Sequence, residues 1–149
     1  MSITSSVSVC LWFDGNAEEA ARLYTSVIHN SAVTSISPVM VTFTLDGVPF
    51  LALNGGPQFR PTEAASIVIR TTTQEETDRL WSALTAEGGS EGRCAWLKDR
   101  FGVSWQIVPQ VLPQLLGASD RHAADRALQA MLGMSKIDIA ALEAAFNAS

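Results

Sequence analysis

The chain has 149 residues, 47% of them hydrophobic and 17% charged, with a formal net charge of −5 at pH 7. Ten Lys plus Arg against 15 Asp plus Glu give no basic footprint for nucleic acid or an anionic membrane surface, so neither is expected as a partner. No apolar stretch approaches the roughly 20 residues that span a bilayer, and Met1–Ser6 lacks the basic start and apolar run of a signal peptide, which makes the cytoplasm the expected location.

Val7–Phe13 (VSVCLWF) is rich in β-branched and aromatic residues and runs into Asp14-Gly15, the pattern of a strand ending in a turn. A helix is expected next. Asn16 can cap it, Glu18 and Glu19 suit its first turn, and Ala20, Leu23, Tyr24 and Val27 fall on one face up to a stop near Asn30. Val33–Ile36 and Val39–Leu45 read as strands, and Asp46-Gly47 between apolar runs predicts a hairpin into Val48–Leu53.

Asn54-Gly55-Gly56-Pro57 opens a loop that lasts to about Ala64, and Ser66–Arg70 (SIVIR) is the next strand. Thr72 or Thr73 caps a second helix with Leu80, Trp81 and Leu84 on its apolar face and Gly88-Gly89 at its end. Ser90–Lys98 holds one strand or two short ones. Asp99–Gly102 is a turn whose charges, with Lys98 and Arg100, read as solvent-exposed, and Val103–Val108 is a strand closed by Pro109.

The two halves repeat each other. Glu18–Val27 (EEAARLYTSV) lies over Glu75–Leu84 (EETDRLWSAL), and Gly47-Val48-Pro49-Phe50 over Gly102-Val103-Ser104-Trp105, in the same order. From Val111 onward the chain reads as helical. Ser119 or Asp120 caps a helix through Met131, and another runs from about Asp138 to Phe146. Their apolar faces need cover from the same chain or from a second subunit, and the sequence leaves both open. Cys10 and Cys94, one in each half, fit buried, reduced thiols better than a disulfide.

Two βαβββ halves in tandem resemble the vicinal-oxygen-chelate fold of the glyoxalase, bleomycin-resistance and dioxygenase superfamily. Within it the chain is similar to the PhnB-like family, whose members carry the label 3-demethylubiquinone-9 3-methyltransferase. The resemblance lies in Cys10–Glu19 (CLWFDGNAEE), Leu45–Phe59 (LDGVPFLALNGGPQF), Trp96–Pro109 (WLKDRFGVSWQIVP) and Lys136–Leu142 (KIDIAAL). It implies an α+β fold in one domain over residues 1–149. Half-modules at about 7–54 and 65–109 form a cup, helices occupy 110–149, and the protein is a homodimer.

Metal-dependent members of the superfamily hold His and Glu ligands on the cup-facing sides of the first and last strands of each half. Matching strand starts puts these positions at Val7 or Ser8, Ala65 or Ser66, Leu51 or Leu53, and Gln106. None is His, Asp, Glu or Cys, whereas a catalytic divalent metal takes about three good protein ligands. No metal and no other cofactor is therefore expected, with a divalent metal as the alternative. His29, at a helix end, and His122, in the tail, read as surface residues.

Strand alternation puts Ser8, Cys10 and Trp12 on one face of the first strand and Ser66, Val68 and Arg70 on one face of the fifth. If Gln106 keeps the direction of the ligand it replaces, Ser104, Gln106 and Val108 share the cup, while Trp105 and Ile107 pack under a helix. Asn54, Gln58 and Phe59 border its mouth. Such a lining suits a small, partly apolar organic ligand; alternatively these residues only pack and satisfy one another. The glycines of Asn54–Phe59 invite a phosphate-loop reading, but neither the spacing nor a following helix supports it. A methyltransferase would also need a glycine-rich strand-to-helix turn followed by an acidic residue, and none is present. The expected function is thus ligand binding in a metal-free cup, with no catalytic residue assigned. A divalent-metal glyoxalase- or dioxygenase-type enzyme and a non-catalytic drug- or metabolite-sequestering protein are the alternatives.

Overall fold

The β-branched run at the start forms strand β1, Val9–Phe13, in a computed structural model that describes residues 5–149. Helix α1 (Ala17–Val27) and strands β2 (Ala32–Ile36), β3 (Met40–Leu45) and β4 (Val48–Asn54) follow. They form a compact unit that ends at Pro61, and a second runs from Thr62 to Ser149. The first sheet has the order β1-β4-β3-β2, with β1 parallel to β4 and the other neighbours antiparallel. The β3–β4 turn places Asp46 and Gly47 at φ 48° and 80°, the left-handed pair that the Asp-Gly signal announces.

Alternate residues of β3 and β4 supply the core of this unit: Val41, Phe43, Leu45, Phe50 and Ala52 are buried with Ala17, Ala20, Ala21 and Tyr24 of α1. Phe43 and Phe50 stack at 5.3 Å between ring centres. Asn16 occupies the capping position of α1, but its side chain makes no capping hydrogen bond. Asn54 Oδ1 accepts from the Ala17 N–H at 2.9 Å instead, and Asn54 Nδ2 donates to the Pro38 carbonyl at 3.0 Å. The Asn54 amide thus ties the start of α1 to the end of β4 through backbone partners.

The second unit contains β5 (Ser66–Thr71), α2 (Gln74–Thr85), β6 (Ser90–Glu91), β7 (Trp96–Lys98) and β8 (Ser104–Pro109). Its order, β5-β8-β7-β6, with β5 parallel to β8, matches the first sheet, so the internal sequence repeat is also a repeat of topology. Thr73 caps α2 by accepting from the Glu76 N–H at 3.1 Å. Leu80, Trp81 and Leu84 of α2 are buried, as are Trp105 and Ile107 of β8. The helix ends at Thr85, short of the Gly88-Gly89 stop, and one 3-10 turn at Ala86–Gly88 follows, with Glu87 at φ 56°.

The turn after β7 departs from the expected exposed charge cluster. Asp99 is only 3% exposed. Its Oδ1 accepts from the backbone N–H groups of Phe101 at 2.9 Å and Val103 at 3.1 Å, and its Oδ2 from the Trp105 indole at 2.9 Å. Three donors replace the water this carboxylate gives up, which is why it is tolerated inside. Arg100 stays near the surface, 3.5 Å from Glu87 and with its guanidinium over the Phe101 ring.

Helices α3 (Val111–Leu116), α4 (Arg121–Leu132) and α5 (Ile139–Asn147) complete the second unit. Asp120 and Asp138 cap α4 and α5. Leu112, Ala127, Ile137 and Leu142 bury themselves with Ala95, and Val108, Leu115 and Phe146 pack against that cluster. The tail therefore finds its cover in its own chain. Gln74 accepts from the Ile139 N–H at 2.8 Å and donates to the Ile137 carbonyl at 2.9 Å, holding the start of α5 beside the start of α2. The backbone N–H groups of Cys94 and Ala95, at φ 55° and 79°, donate to the carbonyls of Met134 and Ser135, each at 2.9 Å. No helix among the described residues is long and apolar enough to cross a membrane.

Candidate functional site

On the second sheet, the burial of Trp105 and Ile107 beneath α2 sends Ser104, Gln106 and Val108 to the opposite face. Register then builds two rows across that face. Ser66, Ser104, Lys98 and Ser90 stand opposite one another on successive strands, and Val68, Gln106 and Trp96 form the next row. Gln106 Nε2 donates to Ser66 Oγ at 3.0 Å, and Lys98 pairs with Glu63. Val108 packs against the tail cluster, whereas Arg70, opposite it on β5, is exposed.

Beside these rows lies a concavity of about 470 Å³, lined by Glu63, Ser90, Arg93, Trp96, Lys98 and Ser104 among others. Ser104 is 1% exposed, and its Oγ has no hydrogen-bond partner. The sequence reading included Ser66, Ser104 and Gln106 but missed Lys98, Trp96 and Glu63. Lys98 closes the expected strand region Ser90–Lys98 but reads with the turn charges as solvent-exposed, and the structure puts it on the same face of β7 as Trp96.

On the first sheet, Cys10 and Trp12 lie on the face opposite the buried Phe13, in register with Leu51 and Leu53. Trp12 Nε1 donates to the Gly56 carbonyl at 2.8 Å, and the Phe59 ring meets it edge-on at 4.9 Å. Gly55 lies so close that a Cβ there would overlap the Trp12 ring. The Asn54–Phe59 loop is thus a brace for Trp12. It leads to strand β5, so no helix N-terminus stands ready for a phosphate. Gln58 and Phe59 are exposed on this loop, and Ser8 is exposed ahead of β1.

Cys10 is exposed and Cys94 half-buried, both as free thiols, so the expectation of burial fails for Cys10. It lies on an edge strand, on the face that α1 does not cover. Its partial burial still pushes the thiol pKa up, away from the range of a reactive thiolate.

A divalent-metal centre does not fit these residues. Among the described residues, no group of three or more His, Cys, Asp or Glu side chains comes together as ligands. Ser66 and Gln106, both among the positions where the superfamily resemblance implies ligands, hydrogen-bond to each other. His29 is exposed, 3.5 Å from Asp46, and His122 is exposed in the first turn of α4.

The family model described as 3-demethylubiquinone-9 3-methyltransferase matches residues 5–108. The chain belongs to this PhnB-like family. Among solved structures, a PhnB protein from Bacillus cereus, described in the same methyltransferase terms, is 30% identical with a TM-score of 0.65, covering 70% of this chain and 99% of its own. Protein PA1353 from Pseudomonas aeruginosa is 22% identical with a TM-score of 0.56, covering 71% and 98%. A glyoxalase/bleomycin resistance protein from Albidiferax ferrireducens shares the fold at 14% identity and a TM-score of 0.54, covering 69% and 96%. No match was found among curated proteins. The PhnB-like chain has the α+β fold expected of it, two four-stranded mixed sheets with helices. Helices α3–α5, and with them the Lys136–Leu142 string, lie beyond the family match.

Proposed function

We propose that this PhnB-like protein binds a small, partly apolar organic molecule on the open faces of its sheets, without a divalent metal. The observation that carries the reading is the Gln106–Ser66 hydrogen bond. Where a metal centre would need carboxylates or imidazoles, the chain has an amide and a hydroxyl that satisfy each other and leave donors for an organic ligand. Trp12, braced by Gly56 and Phe59, gives the first sheet an apolar wall of fixed orientation, and Trp96 gives the second sheet an apolar wall of its own.

A thermal-shift screen of small organic acids, amides and alcohols tests it. At least one class should raise the melting temperature with a logarithmic dependence on concentration, since a ligand selective for the native state stabilises it by RT ln(1 + [L]/Kd). Elemental analysis on the same tag-free protein after dialysis against Zn, Mn, Ni and Fe(II) should find far less than one metal per chain. Stoichiometric metal, with stabilisation by metal alone, would overturn the proposal.

The same reading takes the protein as a cytoplasmic homodimer. Val9 and Val48 are 48% and 50% exposed on the single chain, apolar surface that a second copy would cover. The helical tail adds nothing to this argument, because it is covered in cis. A monomer in sedimentation at micromolar concentration would remove the dimer from the proposal.

A further inference from the structure

The row formed by Ser66, Ser104, Lys98 and Ser90 has a chemistry that its packing role does not use. Ser104 is almost fully buried, yet its hydroxyl is unpartnered beside a concavity. A buried, unsatisfied hydroxyl costs stability in the free protein, and one at the wall of a cavity asks for a ligand atom. Ser66 Oγ accepts from Gln106, which leaves its own O–H to donate. Lys98 stands opposite Ser104 across the β7–β8 ladder. The row therefore presents an ammonium flanked by hydroxyl donors.

The acidic side chains nearby do not cancel that character. Glu91 accepts from the Trp81 indole at 2.7 Å. Glu63 is the partner of Lys98 in an ion pair whose side chains are 59% and 43% exposed. A pair so open to water is weak and exchangeable. Glu63 also marks what Lys98 accepts from a neighbour, a carboxylate. Trp96, in the next row, adds an apolar wall.

We infer that this row is the acid-recognising end of the ligand site: it takes the carboxylate of a small organic acid, displacing Glu63 from Lys98, while the acid's apolar body lies against Trp96. One carboxylate oxygen receives the Ser104 hydroxyl, and the Lys98 ammonium neutralises the charge. The inference deepens the ligand-binding reading above and rests on it.

Phenylacetate, its neutral isostere phenylacetamide and inorganic phosphate are the probes, titrated into isotopically labelled full-length protein and followed by amide chemical shifts. Phenylacetate should perturb Trp96, Lys98 and Ser104 saturably, and the amide at least tenfold more weakly. Ser104→Ala should weaken the acid roughly tenfold to a hundredfold, the loss of one hydrogen bond to a charged group. The same substitution should raise the melting temperature of the free protein, because it removes an unsatisfied hydroxyl. Glu63→Gln should tighten binding by releasing Lys98, and Lys98→Met should abolish the preference for acid over amide.

Equal binding of acid and amide would overturn acid recognition while leaving the ligand-binding reading intact. A response to phosphate stronger than to phenylacetate would replace the organic acid by a bare anion. Silence of these signals to all three probes would overturn the inference, and the thermal-shift screen then decides the broader reading separately. A lower melting temperature for Ser104→Ala would contradict the unpartnered hydroxyl itself.

Discussion

Asp99 holds the β7–β8 turn through three accepted hydrogen bonds inside the protein. Asp99→Asn puts an amide N–H₂ against either a backbone N–H or the Trp105 indole, and it should cost about 2–3 kcal/mol in urea unfolding, in the range of charge-assisted hydrogen bonds. Asp99→Ala leaves all three donors unanswered and should cost about 3–5 kcal/mol. A loss under 1 kcal/mol for the alanine variant would show the turn to be held by its backbone alone. Gly55 is constrained by proximity: Gly55→Ala must push the Trp12 ring off its brace, costing about 1–3 kcal/mol as overpacking does. The shift should appear as a change in Trp12 emission or indole N–H resonance. Neither position was legible in the sequence. An acidic residue at a turn ordinarily faces water, and a glycine in a loop ordinarily signals backbone freedom, so only the three-dimensional neighbours reveal a buried acceptor and a close approach.

The strands and helices were more legible than their joints. Hydrophobic alternation and the Asp46-Gly47 signal located β1, β3 and β4, and Thr73, Asp120 and Asp138 cap the helices they precede. The break between β6 and β7 was not marked, because left-handed backbone is ordinarily announced by Gly or Asn and here falls on Cys94 and Ala95. Asn16 was the natural cap by position, yet Asn54, distant in sequence, does the bonding. The sheet faces fared similarly: the alternation of β5 and β8 placed Ser66, Ser104 and Gln106 on one face, while the two-residue and three-residue strands β6 and β7 were too short to show a period. Gln74 illustrates how such distant contacts secure an element. Its replacement by Ala removes both hydrogen bonds to the start of α5 and should cost about 1–3 kcal/mol. Hydrogen exchange should quicken at Ile139 and along α5 before it quickens in α1; uniform acceleration through both units would contradict a local clasp.

At the scale of the molecule, two exposed carboxylates link stability to acid. A hydrogen bond from Lys136, then one from Gln74, holds Asp78 below its ordinary value of 3.8, and a hydrogen bond from Lys98 does the same for Glu63. A depressed folded pKa contributes stability above the unfolded pKa, and that contribution is lost as pH falls through the folded value. Because Asp78 is open to solvent, Asp78→Asn should cost less than about 1 kcal/mol at pH 7. The difference from the parent should close as pH drops below about 4, through the depressed folded pKa of Asp78. A gap that persists at the acid end would mean that Asp78 acts by shape rather than charge.

The hydrogen bonds from Cys94 and Ala95 to Met134 and Ser135 also order events in time. The first unit has every strand of its sheet once the ribosome has released β4, so it can fold while the rest is being made. In the second unit, the left-handed pair between β6 and β7 waits for carbonyls about forty residues further along the chain, roughly two to eight seconds of translation at typical rates. Until Met134 and Ser135 emerge, those two N–H groups have water as their partner. The second unit therefore completes its hydrogen bonding only after its tail has been made, and slowing synthesis between residues 110 and 135 would lengthen that interval.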